Sequence, residues 1–194
     1  MLRLLIFVLI AGFCHADEPT QNLQSAPKIL TRKEWKAADA VGKMKEHTAT
    51  FITIHHTATK QKPNVSLAQK LQSLQKFSQH EGELAGGKKK PAWPDVPYHF
   101  YVACNGDIGE GRDIDSVGDT NTEYDPTGHI LVTLEGNFEE EQPTPEQFKA
   151  TRQLVAWLAN KYHVPAEKIR SHKDYAKTRC PGKNLYVRLG ELRP

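Results

Sequence analysis

Near its C-terminus the chain reads SHKDYAKTRCPG, residues 171–182, placing His172 and Cys180 eight positions apart ahead of a Pro-Gly turn. Imidazole and thiolate are both ligands for a borderline-soft divalent cation such as zinc. A further imidazole, His55, stands in ATFITIHHTAT, where a β-branched, apolar run gives out. Residues at strand ends are projected by a rigid sheet into whatever cleft lies there. Two imidazoles and one thiolate make three protein ligands, the number that catalytic zinc sites use while leaving a fourth position for water. His47, His80 and His163 lie in polar loop or helix-end contexts and call for no function. His56 is expected to point away from His55, because adjacent strand residues face opposite sides.

The thiol has a competing explanation. The chain begins MLRLLIFVLIAGFCHADEP, a charged start, a short apolar run and a small-residue boundary, the pattern of a secretory leader cleaved after Ala16. The apolar run falls short of the roughly 20 residues that span a bilayer. Of three cysteines, Cys14 would leave with the leader, so Cys104 and Cys180 remain. In an exported protein their pairing as a disulfide is one reading. A buried free thiol at 104 and a functional thiolate at 180 is the other.

Residues 17–29 read as a polar linker and 30–194 as a single domain, long enough for a substantial core. The formal charge of +3, from which the leader removes only Arg3, indicates neither nucleic acid nor membrane as a partner. Thr31 and Glu34 form a capping-box pattern that predicts a short helix near Arg32. Leu67, Leu71, Leu74 and Phe77 recur at helical spacing and predict an amphipathic helix over about 66–80. Residues 81–97 read as a long Gly/Lys/Pro loop, with Lys88, Lys89 and Lys90 solvated. Asn105-Gly106 marks a hairpin turn, and HILVTLEG (129–136) a further strand. Thr144, Pro145 and Gln147 open the longest helix, expected to run to about Tyr162. KIRSH is a short strand, and a helical turn follows around 183–189. The fold class is therefore α/β: a mixed sheet with one antiparallel hairpin, packed by helices, with the candidate zinc site at C-terminal strand ends in a surface groove.

FITIHHTAT, PYHFYVACNGDIGEGRD and SHKDYAKTRCPG together resemble, in order and spacing, the zinc-dependent type-2 N-acetylmuramoyl-L-alanine amidases. That superfamily includes phage lysozyme-amidases and peptidoglycan recognition proteins. The resemblance runs from about Ile29 to about Leu185. It implies zinc held by His55, His172 and Cys180, with Tyr98 as the catalytic tyrosine. Thr178 takes the position where catalytic relatives carry lysine or threonine. It also implies hydrolysis of the amide between the lactyl group of N-acetylmuramic acid and L-alanine, on peptidoglycan or muropeptides.

Some amidases of this superfamily place a glutamate where Thr133 stands, so the chain resembles the tyrosine-dependent branch. Glu135, nearby, reads as a structural or substrate-contacting acid. Asp119 replaces a histidine frequent in relatives. No cysteine lies between residues 15 and 103, whereas animal recognition proteins carry a small disulfide there. This points to a bacterial enzyme rather than an immune receptor; the leader implies a periplasmic or secreted location, and a monomer is expected. The alternative is a module of the same fold that binds peptidoglycan without cutting it, a branch in which the thiolate ligand is typically replaced. Trp93 and the 81–97 loop are candidates for the groove wall, with Trp93 as a core cap the other reading.

Overall fold

The computed structural model describes residues 25–84 and 87–194. The leader and most of the linker lie outside these residues. In chain order the elements are β1 (Ile29–Leu30), β2 (Phe51–His56), α1 (Leu67–Ser78), β3 (Gly82–Glu83), β4 (Lys89–Lys90), β5 (Phe100–Val102), β6 (Ile108–Glu110), β7 (His129–Leu134), α2 (Pro145–Lys161), β8 (Ile169–Ser171) and α3 (Lys183–Tyr186). Six strands form one mixed sheet in the order β1-β6-β5-β7-β2-β8, with β3 and β4 as a separate antiparallel pair. Only β5 and β6 run antiparallel within the large sheet, around the Asn105-Gly106 turn. The expected mixed sheet with a hairpin is the observed one.

The sheet is covered on both faces, which explains its near-continuous apolar runs: all six residues of β7 are buried. Ile52 and Ile54 of β2, Val132 and Leu134 of β7, and Phe148, Leu154, Val155 and Leu158 of α2 form the larger core. The opposite face packs Tyr101 against Trp35, Leu67, Leu71 and Val96. Alternation along β2 therefore sends Thr53 and His55 to the second face while Ile52, Ile54 and His56 enter the first. His55 pairs in register with Thr133, and Thr133 with Tyr101, making one polar row across three strands.

The helix starts follow from caps. Ser66 closes a full capping box with Gln69 at the head of α1. At α2 the Thr144 hydroxyl accepts from the Gln147 backbone, but the Gln147 side chain does not return to it. That amide instead donates to the carbonyls of Val102 and Glu135, both at 2.9 Å, clamping α2 to the sheet.

Three expectations are corrected. The capping-box bonds between Thr31 and Glu34 form, yet residues 32–36 make only a turn. Lys36 ends it at φ 59°, and the apolar Trp35 is drawn into the core, donating to the Glu110 carbonyl at 2.8 Å. Phe77 is 43% exposed; the buried face of α1 instead carries the polar Lys70, Gln75 and Ser78. Lys90 is not solvated but 2% exposed. Its ammonium donates to the carbonyls of Ser78, His80 and Pro91, between the rings of Phe77 and Trp93. This clip, with the β3–β4 pair, gives the 81–97 segment a structure its composition does not show. Trp93 is half-buried and walls the lysine.

Candidate metal centre

His55 is the penultimate residue of β2, and His172 follows the last residue of β8. β8 pairs parallel to β2 with Ile54 opposite Ser171, so the two histidines emerge side by side at C-terminal strand ends. Their ring centroids are 4.6 Å apart. Cys180 arrives from the loop behind His172, where the Cys180–Pro181 peptide is cis. Gly182 has φ 89°, and a Cβ there would stand 2.4 Å from the Phe138 carbonyl carbon. Only glycine lets this loop lie so close to Phe138.

The loop is pinned at the thiol. The Thr178 hydroxyl accepts from the Cys180 backbone N–H at 3.2 Å, and Sγ accepts from the His56 N–H at 3.4 Å. His56 faces the other way, as alternation requires: its Nδ1 accepts from the Phe138 N–H at 3.2 Å, inside the core.

The potential ligand atoms of His55, His172 and Cys180 lie within 4.8 Å of one another. Sγ is 3.7 Å from Nδ1 of His55. A tetrahedral zinc bound by one imidazole nitrogen and one thiolate sets those two atoms about 3.6 Å apart. The donors therefore fit the ion. Nε2 of His55 is buried without a hydrogen-bond partner among the described residues. Such orphans are uncommon in folded proteins and mark sites where something else completes the polar shell.

Burial, reinforced by the charge of His172, holds the pKa of His55 well below the usual imidazole value. Burial also lowers that of His172 to about 4, helped by His56 and Lys88. Both rings are thus neutral at pH 7, the form that ligates. Burial pushes the Cys180 thiol up to about 12, against the pull of the His56 N–H. An ion at the site would have to displace that proton.

The Tyr98 ring stands 5.3 Å from His55. Burial, and then Cys180, raises its phenol pKa, so the hydroxyl remains protonated and can donate. Cys104 and Cys180 are both free thiols, which removes the disulfide reading. Glu135 is 2% exposed and fully engaged: its carboxylate accepts from Lys70 at 2.7 Å, from the Lys62 N–H at 2.8 Å and from the Cys104 N–H at 2.9 Å. It is a structural acid. Asp119 is ion-paired with Arg112. Two histidines outside the site have structural partners: His47 engages Ile114 and Gly128, and His99 engages Ser116 and Leu131.

Sequence reasoning passed over the wall beyond His172. There Tyr124 and Tyr175 stack at 5.4 Å, Tyr124 lies 5.2 Å from the His172 ring, and Thr122 meets Nε2 of His172. Nothing periodic in SVGDTNTEYDP singles these residues out; only the fold brings them to the site.

The family profile described as N-acetylmuramoyl-L-alanine amidase matches residues 45–183. The chain is 26% identical over 169 residues to peptidoglycan-recognition protein SD of Drosophila melanogaster, covering 85% of this chain and 86% of that one. It is 30% identical over 155 residues to the endolysin of Enterobacteria phage K11, covering 76% and 91%. Among solved structures, Drosophila peptidoglycan recognition protein SD superposes with a TM-score of 0.69 at 26% identity, over 82% of this chain and 91% of that one. An endolysin N-acetylmuramoyl-L-alanine amidase from Clostridium intestinale gives 0.65 at 26% identity, over 83% and 91%. On the profile match and the phage endolysin together, this chain belongs to the N-acetylmuramoyl-L-alanine amidase family.

Proposed function

We propose that the protein is an exported, monomeric, zinc-dependent amidase. It hydrolyses the bond between the lactyl group of N-acetylmuramic acid and L-alanine in peptidoglycan or muropeptides. The observation that carries this reading is the convergence of His55, His172 and Cys180, donor atoms within 4.8 Å, beside the phenol of Tyr98. Zinc, when bound, lowers the pKa of its water to about 7 and polarises a carbonyl oxygen. One thiolate and two neutral imidazoles leave the centre with net positive charge, suited to an electrophilic role.

The rest falls to side chains. Tyr98, neutral and fixed against His55, donates to the carbonyl oxygen of the scissile amide as it gains charge. Thr178 accepts the Cys180 N–H with its oxygen, which leaves its own proton free for the same oxyanion. Glu135 is tied to three donors and does not act as a base. Export follows from the leader, with Asp17 as the expected first residue. Among the described residues no helix is long and apolar enough to cross a membrane.

The test is digestion of purified sacculi, with zinc, by the wild type and by Cys180→Ser. The wild type should release stem peptides with free L-alanine amino termini and the variant should not. Absence of product from the wild type overturns the enzyme reading. Co-sedimentation with sacculi without product would instead support the non-cutting alternative, and equal release by both proteins would remove Cys180 from the ligand set.

A further inference from the structure

The imidazole of His172 is held by two hydroxyls. Thr122 Oγ1 lies 2.8 Å from Nε2 and Thr120 Oγ1 3.3 Å from the same atom, while the two hydroxyls are 2.8 Å apart. His172 is only 7% exposed, so its Nε2 has little recourse to solvent. An imidazole that binds a metal through one nitrogen carries its proton on the other, and the acceptor of that proton sets the tautomer and the ring plane.

We infer that Thr122 is the positioning residue for His172, accepting the Nε2 proton so that Nδ1 is the nitrogen presented to the metal. The inference rests on the reading of His172 as a ligand. Thr122 can then pass its own hydroxyl proton to Thr120, which gives the two threonines one consistent donor direction. Metal-bound histidines usually donate to a carboxylate, a carbonyl or water. A hydroxyl pair brings no charge to the site and leaves the imidazole less electron-rich than a carboxylate partner would.

The threonines do not stand on a free loop. Between them, Asn121 donates from its side chain to the Lys89 carbonyl at 2.9 Å, and the Asn121 carbonyl accepts from the Lys88 ammonium. Lys88 and Lys89 adjoin Lys90, whose buried ammonium fixes β4 to the end of α1. The orientation of His172 is thus set by a loop anchored to the β3–β4 pair. Tyr124, 5.2 Å from the His172 ring, closes the remaining side.

Two measurements test the inference. In the metal-free wild type at pH 7.5, long-range proton–nitrogen NMR should find His172 protonated on Nε2; protonation on Nδ1 overturns the assignment without any variant. Zinc affinity by chelator competition should fall about 10- to 100-fold in Thr122→Val, as for lost outer-shell partners generally, and return to within about threefold in Thr122→Ser. Val keeps the bulk of threonine but leaves the buried Nε2 proton without its acceptor, so the metal-free variant should still unfold cooperatively, at a somewhat lower urea midpoint than the wild type. An affinity within twofold of the wild type in Thr122→Val overturns the inference. Failure of the wild type itself to bind zinc would overturn the metal reading, a separate result.

Discussion

The sulfur of Cys180 stands 3.7 Å from Nδ1 of His55, although 125 positions separate the two residues in the chain. In the metal-free protein the thiol, pushed up to about 12 by burial, is protonated, whereas His55 and His172 are neutral bases. Zinc binding must therefore expel about one proton from the ligand set across the neutral range. Affinity should rise about tenfold per pH unit from about pH 5.5 to 8. Calorimetry in two buffers of different ionisation enthalpy measures the proton released. A flat affinity profile would remove the thiol from the ligand set.

Tyr98→Phe keeps the ring that packs against His55 and deletes only the hydroxyl. If that hydroxyl steadies the oxyanion, kcat on muropeptides should fall by about 10²–10³, the usual loss for one such donor. Zinc affinity should not change. Loss of zinc along with activity would show instead that the tyrosine acts through the ligand it touches.

The fold should weaken in acid through buried histidines other than the proposed ligands. Burial lowers the pKa of His99 to about 4, against the opposing hydrogen bond to the Ser116 carbonyl, and lowers His129 to about 4 against Asp125. In the unfolded chain both titrate near 6.5. Between these values the unfolded state binds more protons, so stability is complete above about pH 6.5 and declines as pH falls toward 4. Each group contributes a slope of up to about 1.4 kcal/mol per pH unit. Urea unfolding of the metal-free protein at pH 7.5, 6 and 5 reads it; constant stability over this range would contradict the assignment.

Lys70 and Glu135 form a buried pair, 5% and 2% exposed at their side chains, joining α1 to the end of β7. Lys70→Met leaves the carboxylate with its two backbone donors but without a countercharge, and should cost about 3–5 kcal/mol. The double variant Lys70→Met, Glu135→Gln should recover part of that loss, because the stranded charge is gone. Chemical denaturation of the wild type, Lys70→Met, Glu135→Gln and the double variant gives the coupling directly. Equal losses in single and double variants would show that packing, not charge, carries the contact.

The sequence by itself determined the main strands, the starts of the two long helices and the candidate ligands. Alternation in FITIHH separates Ile52 and Ile54 from Thr53 and His55, and Ser66 and Thr144 head their helices because local hydrogen bonds decide such starts. The three motifs name His55, Tyr98, His172 and Cys180 because each is a local string of residue types. What pairs with a side chain from a distance is not written locally. The turn at Arg32, the burial of Lys90 and the return of Gln147 to Val102 and Glu135 were each set by partners elsewhere in the fold. The same holds at the centre. His172 reaches His55 only because β8 lies in register beside β2, and Thr122 reaches His172 only because Asn121 is tied to Lys89. Residue identity fixes which atoms can bind a metal or donate a proton; the order and register of the strands fix which of them meet.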